Sequence, residues 1–179
     1  NSELVAIYGN FVNRVLILII KYYNGIVPNP DSLDNSNKKI IEQVKGFPKS
    51  IGKSLDEFKF REAIKSLMNL ARIGNKYLAD SEPWKLQKSN PEKVKEILYV
   101  GYIIICYLSI LSEPFLPNTA KKLKSQLNLG EIKNWNDLDY LNNKIDFSSN
   151  IESKEVLFRK IEDDEILRQI EKLKKMSNQ

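Results

Sequence analysis

The stretch ILYVGYIIICYLSILS, residues 97–112, contains no charged side chain and determines how the rest of the chain can fold. It is shorter than the roughly 20 apolar residues that a helix needs to cross a bilayer, and tyrosines, serines and a glycine interrupt it. Asn90 followed by Pro91 is a favoured start for a helix. We therefore predict a helix over 91–111 that is buried on most sides and forms the centre of a soluble fold.

Apolar residues at helical spacing predict further helices on both sides of this central one. Their approximate ranges are 2–24, 36–44, 49–55 and 56–78 before it, and 119–127 and 163–176 after it. No strand-like alternation persists, so we predict an all-α fold, an antiparallel helix bundle. We expect this bundle to occupy residues 1–129. The more polar, turn-rich residues 130–179 should form an irregular C-terminal extension that packs back on the bundle, with Trp135 as an anchor, and ends in a helix.

The composition suits a soluble globular protein and excludes several kinds of site. Of the 179 residues, 42% are hydrophobic and 28% are charged, which are ordinary values. One cysteine, Cys106, and no histidine exclude an internal disulfide, a cysteine zinc site and a histidine-containing triad. Glycine-rich phosphate loops are absent, and the acidic run 162–165 suits the start of a helix. We predict no catalytic, cofactor-binding or metal-binding residues, and the cysteine usage favours the cytoplasm.

The net charge of +5 is spread along the chain. A mild positive excess is compatible with a phosphate-bearing partner, because lysine and arginine supply the salt-dependent part of nucleic-acid affinity. It is also compatible with an ordinary soluble surface. Charge alone leaves both interpretations open.

The first helix carries polar residues where a packed helix normally carries leucine or alanine. Asn10 and Arg14 are one turn apart on one face, and Asn13 lies beside them. A solvent-facing stripe explains Glu3 and Lys21 on nearly the same line, but asparagine is a poor helix former with no reason to fill an exposed interior position. An amide and a planar guanidinium offer the hydrogen bonds that a nucleobase edge needs. These residues are candidates for RNA binding, with a solvent stripe as the alternative.

Trp84 follows Pro83 in a short break between two helices. An indole at this position can pack down as a lid on the bundle, or it can stand out as a platform for an unpaired base. Unpaired RNA bases are typically captured by stacking on aromatic side chains, at about 1–3 kcal/mol per base. The residues themselves leave both interpretations open.

Five segments, in this order, resemble the anticodon-binding domain of the methionyl-tRNA synthetase family. They are 4–28, with Gly9-Asn10 and Asn13-Arg14; 60–63; Asn75-x-Tyr77 followed by Pro83-Trp84-Lys85; 114–117; and 157–161. Together they cover nearly the whole chain. The resemblance implies an antiparallel helix bundle of the type that class I synthetases use to bind anticodons.

The resemblance also implies that the chain binds the CAU anticodon loop of tRNA(Met). In the family, the asparagine and arginine of an N-x-x-x-R pattern contact the wobble cytosine, and a tryptophan stacks on an anticodon base. These positions fall on Asn10, Arg14 and Trp84. Members often have an acidic residue two positions after the tyrosine of the third segment, where this chain has Ala79. Asp80, next to it, is a secondary candidate for that contact, as Asn13 is for RNA binding.

In the family, the catalytic half that uses ATP and methionine lies upstream of this domain. We therefore expect the chain to be a fragment of a methionine–tRNA ligase that carries no catalytic site or cofactor itself. Its expected partners are tRNA(Met) and the catalytic domain of the same chain, and we expect a cytoplasmic monomer with no membrane contact. Two alternatives stay open: a helical protein-interaction module that no longer reads RNA, and the anticodon domain of another class I synthetase.

Overall fold

The computed structural model describes residues 1–129, 135, 138, 150–151 and 155–177. Over these residues the chain is helical, with no strand beyond one isolated bridge between Ile26 and Asn150, and the all-α prediction is confirmed. A π-helix, Leu4–Gly9, leads directly into the first α-helix. The α-helices are α1 (Asn10–Tyr23), α2 (Asn35–Lys45), α3 (Phe47–Asp56), α4 (Phe60–Ser81), α5 (Pro83–Leu86), α6 (Pro91–Leu111), α7 (Pro117–Gln126) and α8 (Asp163–Ser177).

Helix α6 forms the centre of the bundle. Every residue from 97 to 111 is buried, as the uncharged stretch predicts. Helix α1 runs antiparallel to it. Just before α1, the Tyr8 hydroxyl donates to the Leu108 carbonyl at 3.2 Å, and at the end of α1 the Tyr23 hydroxyl lies 3.4 Å from the Pro91 carbonyl.

Helices α1 and α4 lie side by side and run in the same direction. Glu3, before α1, forms an ion pair with Arg72 of α4 at 2.6 Å. Further along, Arg14 of α1 contacts Trp84, which lies just beyond the end of α4. Since α1 is antiparallel to α6 and α4 runs in the same direction as α1, α4 is also antiparallel to α6. This arrangement brings the C-terminal end of α4 against the middle of α1.

Helix α1 packs closely against α4 and α6 because each of these helices has a glycine at the contact. A Cβ atom on Gly74 of α4 would lie 2.5 Å from Cζ of Phe11, and one on Gly101 of α6 would lie 3.1 Å from Cγ2 of Val15. Phe11 and Val15 are fully buried. The spacing of these three helices therefore depends on the absence of side chains at positions 74 and 101.

Two segments are long and apolar enough, by length and composition alone, to cross a membrane: Leu4–Tyr23 and Pro91–Leu111. The apolar window of the second is 89% buried inside the bundle, so the protein core accounts for its hydropathy. The first contains the π-helix and α1, whose buried face covers α4 and α6.

Some local features differ from the expectations drawn from apolar spacing. The spacing starts α4 near residue 56, whereas the structure starts it at Phe60. The reason is Phe58, which adopts a left-handed conformation with φ 58° and separates α3 from α4. The π-helix at Leu4–Gly9 has no signal in the spacing at all.

Described residues of the C-terminal segment that precede α8 contact the bundle. The Phe158 ring meets the Tyr8 ring edge-on, with the centroids 5.5 Å apart. A Cβ atom on Gly52 of α3 would lie 3.2 Å from the Trp135 ring, so Trp135 packs on α3 as an anchor would. The large apolar side chains of α8, by contrast, are exposed.

A polar network joins α2, α4 and α6. The Tyr77 hydroxyl of α4 donates to Asn37 Oδ1 at 2.7 Å, and Asn37 Nδ2 donates to Glu96 Oε2 at 2.8 Å. Asp34 caps α2 by accepting from the Asn37 amide, and it forms an ion pair with Lys93. Burial raises the pKa of the Tyr77 hydroxyl, which remains a neutral donor. The hydrogen bond from Lys93, together with that from the Asn37 amide, lowers the pKa of Asp34 to about 2.

Gly74→Ala should destabilise the fold by about 1–3 kcal/mol, as overpacking does. The added Cβ would lie 2.5–2.8 Å from three atoms of the buried Phe11 ring, whereas in an open helix the same change stabilises by up to about 1 kcal/mol. Urea unfolding measures the difference. Gly46→Ala is the matched control, because a Cβ there would meet only the Gln43 carbonyl, at 3.4 Å; we expect a change within about 0.5 kcal/mol. A Gly74→Ala protein as stable as the unmodified chain would contradict the close packing.

Asp34→Asn should lower the thermal unfolding temperature at neutral pH, and the difference should vanish in acid. The folded pKa of about 2 lies below the ordinary value of 3.8. The carboxylate therefore stabilises the fold above the ordinary value, and this effect is lost as the pH falls through the folded value. Thermal unfolding between neutral pH and about pH 2 measures the change. Asp31→Asn is the control and should unfold like the unmodified chain at neutral pH. A difference for Asp34→Asn that persists in full at the acid end would rule out this role.

Candidate nucleic-acid interface

The turn that ends α4 holds Trp84 over α1. After Ser81, Glu82 adopts a left-handed conformation with φ 43°, and its amide donates to the Leu78 carbonyl at 3.2 Å. Pro83 then begins α5, at a position where a missing N–H is tolerated, and it is buried. The indole that follows keeps 39% of its surface exposed. The indole is therefore partly covered by the protein and partly open to solvent.

The Arg14 guanidinium lies over the Trp84 ring, with Cζ 5.1 Å from the ring centroid. This is the distance of a cation–π contact. In the part of the chain that the structure describes, the arginines that pair with carboxylates are Arg72 and Arg159, and Arg14 has no such partner. Its N–H donors are thus oriented by an aromatic face and remain available to a ligand.

Asn10 lies one turn before Arg14 and contacts α4. It is exposed, and its Nδ2 lies 3.4 Å from Oδ1 of Asn75. Asn75 Nδ2 in turn donates to the Ile7 carbonyl at 2.7 Å and to the Ala71 carbonyl at 3.2 Å. The asparagine, arginine and tryptophan that the sequence analysis selects are therefore brought together where α1 meets the C-terminal end of α4.

Asn75 and Tyr77 belong to the third family-like segment, but the sequence assigns no role to either. The structure gives both of them contacts inside the protein: Asn75 joins α4 to the π-helix, and Tyr77 joins α4 to α2. A glycine inside a helical pattern often marks a close packing contact. Gly74, next to Asn75, is the signal that could have identified this contact between helices.

The two secondary candidates make other contacts. Asn13 is half-buried and lines a narrow crevice between α1 and the C-terminal segment, together with Glu155 and Leu157. Asp80 is exposed on the last turn of α4 and pairs with Lys76 at 3.0 Å. A surface pair of this kind contributes only about 0.2–1 kcal/mol, so Asp80 can exchange this partner for another.

Basic side chains flank the contact between Arg14 and Trp84. Lys85 follows the indole and pairs with Glu82 at 2.8 Å, and Lys88 lies exposed just after α5. Lys21 is two turns further along α1 than Arg14.

No group of three or more histidine, cysteine, aspartate or glutamate side chains suited to a metal ion occurs among the described residues. The chemistry of this surface is that of hydrogen bonding, stacking and positive charge.

Comparison with known proteins gives the same family as the segments of the sequence. Residues 27–177 match the family model described as the anticodon binding domain of methionyl tRNA ligase. The methionine–tRNA ligase of Christiangramia forsetii is 51% identical over 97% of this chain and 26% of its own length. That of Flavobacterium johnsoniae is 44% identical over 97% of this chain and 28% of its own length. The chain thus spans about a quarter of the length of these curated relatives.

Solved structures share the fold. The free-state methionyl-tRNA synthetase of Mycobacterium tuberculosis superposes with a TM-score of 0.82 at 20% identity, over 90% of this chain and 33% of that one. The complex of the same enzyme with methionyl-adenylate gives 0.79 at 22% identity, over 89% and 32%. These similarities establish the helical architecture, and the family model and the curated relatives establish the family. The chain belongs to the family of anticodon-binding domains of methionyl-tRNA ligase.

Proposed function

We propose that this chain is the part of a methionine–tRNA ligase that reads the CAU anticodon loop of tRNA(Met). One observation carries the proposal: the Arg14 guanidinium, one turn from Asn10, lies over the partly exposed ring of Trp84. The chain's relatives are methionine–tRNA ligases. An indole, a guanidinium and an amide on one surface are the groups needed to capture an unpaired base and read its edge.

Each of the three side chains has a distinct role in this proposal. The exposed part of the Trp84 ring stacks on an unstacked anticodon base. Arg14 donates hydrogen bonds to the edge of the wobble base, and Asn10 adds an amide to the same edge. Cytosine offers two adjacent acceptors, N3 and O2, whereas uracil has a donor at N3. Donors from Arg14 therefore favour cytosine.

Lysines around this surface supply the sequence-independent part of the affinity. Lys21, Lys85 and Lys88 are suited to the loop phosphates, and binding through them weakens as salt rises. Asp80 and Asn13 are proposed as secondary contacts, Asp80 in place of the acidic residue that family members often carry at the position of Ala79.

The proposal extends to the parent protein. In this proposal a catalytic domain upstream in the same polypeptide uses ATP and methionine to charge the tRNA, and the present chain supplies no residue that binds either of them. Residues 1–129 form the anticodon-binding bundle, and residues 130–179 form an extension that packs back on it. All three reading side chains come from one chain, so reading requires no second copy, as in a monomer. The proposed setting is the cytoplasm, without membrane contact.

The direct test is a titration of this chain with a CAU anticodon stem-loop, beside a loop with uracil in place of the wobble cytosine, at two salt concentrations. We expect binding that prefers cytosine and weakens with salt. Equal affinity for both loops would mean that only phosphates are contacted. No binding at low salt would favour a protein-interaction module instead.

Trp84→Ala should weaken binding of the CAU loop by about 1–3 kcal/mol, because the stacking surface for one base is lost. Fluorescence anisotropy of a labelled loop measures the affinity. Phe60→Ala is the matched control: this aromatic side chain is also exposed but lies at the opposite end of α4, and its loss should leave the affinity unchanged. Undiminished affinity in Trp84→Ala would remove the stacking role.

Arg14→Lys should reduce the preference for cytosine over uracil at the wobble position. An ammonium keeps the charge but cannot reproduce the planar set of donors or stack on the indole in the same way. The ratio of the two loop affinities is the measurement, and Arg61→Lys, at the far end of α4, is the control. A lysine variant that discriminates as well as the unmodified chain would show that charge alone suffices.

A further inference from the structure

The orientation of the Asn75 amide follows from its surroundings. One end of this amide lies 2.7 Å from the Ile7 carbonyl and 3.2 Å from the Ala71 carbonyl. Carbonyl oxygens only accept hydrogen bonds, so the atom that faces both of them must be the donor, Nδ2. The acceptor, Oδ1, therefore faces the other way, towards Asn10.

The orientation of Asn75 dictates that of Asn10. Oδ1 of Asn75 can only accept, so the Asn10 atom 3.4 Å away is Nδ2. Oδ1 of Asn10 is left facing away from α4, and among the described residues no donor satisfies it. The Ile7 carbonyl also accepts from the backbone amide of Asn10, so the same peptide group ties Asn75 to the backbone that carries the reading side chain.

We infer that Asn75 is a positioning residue that makes Asn10 present a hydrogen-bond acceptor to the anticodon. This inference rests on the proposed function and adds a source of base specificity to it. An acceptor at Asn10 beside the donors of Arg14 complements cytosine, whose edge has an amino donor at N4 and acceptors at N3 and O2. In uracil an oxygen, O4, replaces this amino group. Two acceptors, O4 and Oδ1 of Asn10, would then face each other with no hydrogen between them.

The structure separates this role from simple packing. The contact of α1 with α4 is already made by the Phe11 ring on Gly74, and α4 is joined to α2 by Tyr77. Neither of those contacts involves the amide of Asn75 or of Asn10. Within the described part of the chain, only the hydrogen bonds of Asn75 distinguish the two orientations of the Asn10 amide. Without them, Asn10 could turn its NH2 group towards uracil.

The test measures the affinity of the full 179-residue chain for the cytosine loop relative to the uracil loop. Asn75→Ala should lower this ratio about tenfold, within the range that a single base contact contributes to discrimination. Adding Asn10→Asp to that variant should restore much of the preference, because both oxygens of a carboxylate are acceptors. Tyr77→Phe is the matched control: it removes an anchor of the same helix and should lower stability without changing the ratio.

Thermal unfolding shows that each variant is folded before its affinities are compared. Should Asn75→Ala unfold, Asn75→Ser replaces it, since a serine hydroxyl is too short to reach Asn10. If the unmodified chain prefers cytosine and the Asn75 variant prefers it equally, the positioning role is overturned and the proposed function stands. The positioning role is also overturned, and the proposed function stands, if the Asn75 variant loses affinity for both loops by the same factor. A Tyr77→Phe variant that lowers the ratio as much would lead to the same conclusion. An unmodified chain with no preference for cytosine would overturn both.

Discussion

The rest of the structure depends on how closely α1 approaches its two neighbours. Phe11 occupies the space left by a missing side chain at Gly74, and Val15 does the same at Gly101. Both large residues are buried, and close-packed interiors tolerate little change of volume. Because the contact at Gly74 sets the distance between α1 and α4, it also sets the distance between the neighbouring residues Asn10 and Asn75. Geometry at the surface is thus fixed by packing in the core.

The proposed anticodon-binding surface, formed by Asn10, Arg14 and Trp84, lies where regular structure ends. The π-helix before α1 supplies the Ile7 carbonyl to Asn75, and π-helical turns frequently occur at functional sites. On the other side, the left-handed Glu82 and the buried Pro83 redirect the chain after α4. A left-handed conformation costs a non-glycine residue of order 1–3 kcal/mol and persists only where its surroundings hold it. The turn after α4 places Trp84 against Arg14 of α1, and the π-helix provides the carbonyl that holds Asn75.

Periodicity and turn residues predict much of this fold but only part of the site. The buried helix at 91–111 and its cap Asn90 follow from apolar spacing and from a proline in the first turn. Residue type and family resemblance point to Asn10, Arg14 and Trp84. What the sequence could not provide is the pairing of helices. The stack of Arg14 on Trp84 and the bond of Asn10 to Asn75 depend on which helix lies beside α1, and on the direction in which it runs. Helical spacing also carries no information about the π-helix or about the left-handed Phe58.

The stack of Arg14 on Trp84 has a consequence for the entropy of binding. A free arginine side chain loses about 1.5–2 kcal/mol of rotamer freedom when it is fixed, and a surface arginine paired with a carboxylate must first give up that partner. Here the guanidinium already rests on the indole, and no carboxylate among the described residues competes for it. Much of the ordering therefore precedes the arrival of a base. Such preorganisation leaves more of each new hydrogen bond to appear as affinity.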